Sequence, residues 1–283
     1  MKDPYDIDEI EEVVDRIQCL STPFFVQDMP EWIFSALTTL RCLDTEVGGE
    51  LVDLGEITTL RFPNLRHLEI HHIYADPTYD DFPPLESLHL IVSEDNGWQD
   101  IASACSASLV SLQIKRIFPV LYFQNTDIIL PRLRHLKIVK LWEEEMGLPL
   151  NINTPNLQFY IEDDEENPPE QLMHGHLSSA THMRLKAFHI PNHLATTLNA
   201  HALQLELKFA DFCDALDKLT KNSSIFPCLE HLEFRSGLME EWEANEARRM
   251  LEEFVWESRP NMKLPTISDH WIKEFSVESF TEV

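Results

Sequence analysis

Four stretches of this chain are near copies of one another: FPNLRHLEI (Phe62 to Ile70), FPPLESLHL (Phe82 to Leu90), LPRLRHLKI (Leu130 to Ile138) and FPCLEHLEF (Phe226 to Phe234). Each spaces its apolar residues as apolar-x-x-apolar-x-apolar and ends in the alternation expected of a half-buried strand. A single strand has no reason to repeat itself, so the repetition constrains the fold before any motif does. Clear units are Leu65/Leu68/Ile70, Leu85/Leu88/Leu90, Leu109/Leu112/Ile114 and Leu133/Leu136/Ile138. A weaker one starts at Asn156 and continues with Phe159 and Ile161, followed by Ala180/Met183/Leu185, Ala202/Leu205/Leu207 and Leu229/Leu232/Phe234. Upstream, Leu40/Leu43 reads as a first unit, and successive anchors lie 25, 20, 24, 24, 23, 24, 22 and 27 residues apart.

A period of roughly 20–29 residues with LxxLxL is the mark of a leucine-rich repeat. One such strand cannot bury its apolar side alone, whereas stacked copies form a parallel sheet with continuous leucine rows. Pro63, Pro83, Pro131, Pro155 and Pro227 fall where strands begin, the place where a missing N–H costs least. The expected fold is therefore an α/β leucine-rich-repeat solenoid. It has a curved parallel sheet on its concave face, an irregular, short-helical convex side and helical end caps. Residues 1–36 read as an N-terminal helical cap, with Ile10, Val13, Val14 and Ile17 on one stripe. Residues 37–235 read as about nine repeats, and 236–283 as a C-terminal cap helix and tail. Between strands, NGWQDIASACSAS and FADFCDALDKLTKN read as helices, FPVLYFQNTDIIL as extended, and the charged EDDEENPPE (Glu162 to Glu170) as a solvated loop.

Composition narrows the function. The formal charge is −27, from 22 Lys+Arg against 49 Asp+Glu, which disfavours nucleic acid and anionic membrane as partners. Five scattered cysteines without CxxC spacing suit reduced thiols, and the acidic N-terminal stretch has no signal-like apolar region. Together they point to cytoplasm or nucleus. Seven glycines, with no GxGxxG or GxxxxGK[ST], argue against nucleotide chemistry. No GxSxG or HExxH is present, so we expect no enzyme, no cofactor and no metal.

What remains is surface. Residues between the ladder leucines point out of the sheet, and this register places Lys115, Lys137, Arg184, Lys186, Lys208 and Arg235 outward. They stand against four acids, Glu69, Glu162, Glu206 and Glu233, on a chain where acids outnumber bases more than twofold. Tyr160 falls mid-sheet as an aromatic anchor, and His135 and His182 share the first outward position with His67 and His231. The expectation is a partly basic face that binds a protein partner bearing an acidic segment.

The units FPNLRHLEI and LPRLRHLKI resemble the repeat regions of fungal F-box/LRR proteins, over about Leu40 to Phe234. That resemblance implies a substrate-recognition subunit of a cullin–RING ubiquitin ligase, docked through an F-box on an adaptor. The nearest match to the F-box opening is MPEWIFSALTTL (Met29 to Leu40), too close to the first repeat to be one. The F-box therefore reads as absent, and the binding-scaffold role as the part that carries over.

Overall fold

A computed structural model of the chain describes residues 13–22, 31–42, 52–71, 73–74, 81–92, 98–116, 128–140, 152–163, 175–186, 197–253, 259 and 261–268. In chain order the first strands are β1 (Cys19–Thr22), β2 (Thr39–Cys42), β3 (Val52–Asp53), β4 (His67–His71), β5 (Ile73–Tyr74), β6 (Ser87–Val92), β7 (Ser111–Arg116) and β8 (Ile128–Ile129). They are followed by β9 (His135–Lys140), β10 (Ile152–Asn153), β11 (Phe159–Asp163), β12 (His182–Leu185), β13 (Ala202–Glu206), β14 (His231–Arg235) and β15 (Thr266–Ser268). The helices are α1 (Trp98–Ala104), α2 (Phe209–Lys221) and α3 (Glu241–Glu253). The chain divides into two units. One comprises Met1–Leu133, Lys140–Met146 and Asn151–Asn153, the other Arg134–Val139, Gly147–Leu150 and Thr154–Val283.

Both units are parallel-sheet solenoids. In the first, β1, β2, β4, β6 and β7 pair side by side, all parallel. The register aligns Leu20, Leu40, Leu68, Leu88 and Leu112 in one row, and Thr22, Cys42, Ile70, Leu90 and Ile114 in the next. From Leu40 and Cys42 onward these rows are almost wholly buried. Each large side chain so buried contributes about 1.5–3 kcal/mol. In the second unit, β9, β11, β12, β13, β14 and β15 do the same, aligning Leu136, Tyr160, Met183, Leu203 and Leu232. The adjoining row is Ile138, Glu162, Leu185, Leu205, Phe234 and Ile267.

A backbone device repeats with the strands. At successive entries in the first unit, two consecutive N–H groups donate to one carbonyl of the preceding repeat: Thr38 and Thr39 to Gln18, Arg66 and His67 to Thr38, Glu86 and Ser87 to Arg66, Val110 and Ser111 to Glu86. In the second unit Gln158 and Phe159 donate to Arg134, Thr181 and His182 to Gln158, His201 and Ala202 to Thr181, Glu230 and His231 to His201. This fixes the phase of these repeats without reference to side chains.

The phase corrects the sequence reading in several places. The first clear unit is Leu37/Leu40/Cys42 rather than Leu40/Leu43, a buried cysteine acting as a small apolar residue. The unit assigned to Asn156 is Leu157/Tyr160/Glu162, one residue later. Both parities of FYIE look apolar enough to face inward, so alternation alone does not choose between them. The unit assigned to Ala202 is Ala200/Leu203/Leu205, two residues earlier: parity is unchanged, and AHALQLEL holds two overlapping apolar triplets of that parity. Glu162 is accordingly a core residue, not part of a solvated loop.

The ends differ from expectation as well. Within the expected N-terminal helical cap, Val14–Arg16 form a single 3-10 turn and Cys19–Thr22 form a strand of the sheet; residues 1–12 lie outside the described set. At the other end α3 forms as expected, but β15 continues the ladder beyond it. The helix is thus a crossover between parallel strands rather than a terminal cap.

Among the described residues, the connections of the first unit hold α1, a 3-10 turn at Leu54–Glu56 and two small parallel pairs, β3 with β5 and β8 with β10. The second unit contains two 13-residue helices, each between consecutive strands of the sheet. α2 buries Phe212, Ala215, Leu216 and Leu219, the i, i+3, i+4, i+7 stripe, and sets Phe212 edge-on to Phe234 at 4.7 Å. Asp214–Lys218 and Asp217–Lys221 ion pairs run acid-first along its outer side. Its C-terminus has an unusual stop. The buried Arg259 guanidinium donates to the carbonyls of Leu219, Asn222, Ile225 and Phe226. A cation there meets the negative end of the helix, and Phe226, one of the accepting residues, has a φ of 48°.

Candidate binding face of the sheet

Because side chains alternate along a strand, the core rows leave a second set of rows on the opposite, outer face. In the first unit the central outer row is Ser21, Arg41, Glu69, His89 and Gln113. Four of these form a continuous ladder. Arg41 Nε lies 3.4 Å from Glu69 Oε2, His89 Nδ1 3.1 Å from Glu69 Oε1, and Gln113 Nε2 2.7 Å from His89 Nε2. Each rung uses the neighbouring strand, about 4.8 Å away, as its partner.

In the second unit the equivalent row is Lys137, Ile161, Arg184, Gln204 and Glu233. Arg184 Nε donates to Gln204 Oε1 at 3.0 Å, and Gln204 Nε2 donates to Glu233 Oε2 at 2.6 Å. Ile161 interrupts the row between Lys137 and Arg184. Beside it runs an aromatic row, His135, Phe159 and His182, whose rings stack at 5.0 Å and 4.7 Å. Burial, and secondarily the charges of His201 and His231, hold the His182 imidazole below its ordinary range. Gln204, Glu206 and Glu233 are buried although they lie on the outer side, so the accessible part of this face is on β9 to β12.

At the strand ends, Arg235 Nε stands 3.6 Å from the Glu206 carboxylate. Gly237 makes room for that pair, since a Cβ there would run into the Glu206 carboxylate.

Of the expected site residues, Lys115, Lys137 and Arg184 lie on the outer face and are half-buried, and Lys186 follows Leu185 directly. Arg235 is there too but is engaged with Glu206. His135 and His182 are on the face as stacked rings, His135 nearly buried. Two expectations fail. Tyr160 is 1% exposed and points into the core, where its hydroxyl donates to Glu162 Oε2 at 2.8 Å. Lys208 is off the sheet, immediately ahead of α2. Sequence reasoning missed Arg41, Phe159 and Ile161, which the corrected phase of the repeat brings onto the face.

The charge balance survives the exchange. In the first unit Arg41 and Lys115 now stand against Glu69, and in the second Lys137, Arg184, Lys186 and Arg235 against Glu206 and Glu233, within a chain of net −27. Among the described residues no three of His, Cys, Asp and Glu are placed to hold a metal ion, and no helix is long and apolar enough to cross a membrane. The fold and face together define a class: a parallel-sheet solenoid with an ordered polar outer surface. No family model, curated protein or solved structure matches the chain.

Proposed function

We propose that the chain is a leucine-rich-repeat protein of the cytoplasm or nucleus. In this reading it is a non-catalytic scaffold that binds a protein partner on the outer face of its sheet. The observation that carries this reading is the charge contrast: bases hold parity or better on that face while the chain as a whole is strongly acidic. Side chains locked in register lose little ordering entropy on binding, and complementary charge sets the on-rate and alignment of an acidic segment.

The test is capture from lysate of the native cell, with wild-type chain and charge-reversed variants as bait. Lys137→Glu with Lys186→Glu should cut recovery of the bound partner by about tenfold and in a salt-dependent way. Lys208→Glu, off the sheet, should change little. Unchanged recovery with the double reversal refutes the reading. A cullin–RING adaptor among the captured proteins is the outcome that moves it toward a ubiquitin-ligase subunit.

A further inference from the structure

A different surface of the second unit presents an exposed aromatic side chain. Trp242, the second residue of α3, is 61% exposed, although tryptophan is on average one of the more buried residue types. It is nevertheless held in place. Its indole Nε1–H donates to Glu240 Oε2 at 2.8 Å, and its ring leans on Phe209, at the start of α2, with centroids 5.8 Å apart. An aromatic fixed in this way loses little entropy when something docks on it.

The surroundings select what docks. Glu240, which accepts the indole N–H, and Glu241 and Glu243, either side of Trp242 in the chain, make this end of α3 acidic, and α3 has no base before Arg248. Helix capping explains part of this, since Glu243 Oε2 accepts the Glu240 N–H at 2.9 Å. Capping does not explain an indole left in water among carboxylates. A cation above the open indole face would gain from the ring quadrupole and from the carboxylates at once. Arginine suits both, because its planar guanidinium stacks on an aromatic face and forks onto carboxylates. A second copy of this chain, also at −27, brings the wrong charge, and an anionic lipid surface does too.

We propose that the Trp242–Phe209 patch is a docking site for an arginine-bearing basic segment of a partner protein. This interface is separate from the outer face of the sheet and does not depend on that reading.

The test uses the full chain and a fluorescein-labelled, unstructured peptide carrying four arginines separated by glycine and serine, read by anisotropy. Peptides with lysine or aspartate in place of arginine serve as comparisons. The arginine peptide should bind more tightly than the lysine peptide, and the aspartate peptide not at all. Trp242→Ala should weaken arginine-peptide binding by about tenfold, as for an aromatic hot spot. Trp242→Phe, which keeps a ring against Phe209, should weaken it less. Far-UV circular dichroism confirms that each variant is folded.

Equal affinity of wild type and Trp242→Ala would overturn the proposal, because binding would then be non-specific charge attraction. So would no binding of the arginine peptide. Concentration-dependent dimerisation of the wild type that Trp242→Ala abolishes would overturn it in favour of a second copy as occupant.

Discussion

The two units share one backbone and solve its side-chain problem differently. In the first, the core rows are apolar apart from Thr22 at the edge strand, and the polar side chains interact outside, in the Arg41–Glu69–His89–Gln113 ladder. In the second, polarity enters the core itself as the Tyr160–Glu162 pair, while the apolar Ile161 and aromatic Phe159 are turned outward. The second unit also carries two long helices, the first of them fastened at its end by Arg259, where the described residues of the first unit hold α1, a 3-10 turn and short strand pairs. A repeat specified by its main chain tolerates such exchanges, so the resemblance between repeats says more about fold than about surface.

The largest expected effect comes from removing the fastening of the second unit. Arg259→Ala leaves four carbonyls without their cationic donor and should destabilise that unit by about 3–4 kcal/mol. Arg259→Lys should recover only part, a point charge being unable to span all four. Thiols report on each unit separately. Burial pushes Cys42 up to about 12 and Cys105 up to about 11, so both should stay unreactive while the first unit is folded. In Arg259→Ala, Cys213 and Cys228 should react faster with a disulfide reagent while Cys42 and Cys105 remain protected. Uniform acceleration at all four would mean that the two units unfold as one.

Next comes the polar pair in the core. Tyr160→Phe leaves Glu162 without that donor and should cost about 1–3 kcal/mol in urea denaturation. Adding Glu162→Leu, which matches its row to Ile138 and Leu185, should restore most of the loss. If the double variant is worse than the single, the carboxylate has a role beyond accepting the tyrosine proton. The counterpart in the first unit is weaker. Glu69→Ala cuts the outer ladder at its centre, yet its ion pairs are partly exposed, so the cost should be about 0.5–1 kcal/mol and shrink in salt.

The smallest effect is on pH. His182 titrates below its ordinary 6.5, so as pH falls the unfolded chain takes up this proton before the folded chain does. Stability from neutral His182 is therefore present above 6.5 and lost as pH drops below it. His182→Asn should flatten the dependence of the urea midpoint on pH below that value, and an unchanged slope would contradict the assignment.

How much of this could be read beforehand depended on parity. Where leucine alternates with charge, as in LRHLEI or LRHLKI, only one face can be buried and the register was legible. In NLQFYIE both faces are apolar, and AHALQLEL holds two overlapping apolar triplets two residues apart, so the choice fell to backbone phase and, in the first, to a hydroxyl reaching Glu162. The misplacement of Tyr160 and Lys208 follows from those two segments alone. The edge strands β1 and β15 were illegible for another reason: CLST and TIS are too short and too polar to show an apolar triplet. Trp242 and Arg259 lay within segments treated as cap and tail, and periodicity does not reveal a ring left exposed or an arginine folded back onto a helix end.

The paired N–H donation at each strand entry has an evolutionary corollary. The accepting carbonyls belong to Gln18, Thr38, Arg66, Glu86, Arg134, Gln158, Thr181 and His201, residues with nothing chemical in common. The seam between repeats is therefore blind to side-chain identity. Excising residues 87–110 would join Glu86 to Ser111 in the same phase, with the Arg66 carbonyl still receiving its donors. Lineages can lengthen or shorten such an array by whole periods without renegotiating its joints, leaving the outer rows to change one residue at a time.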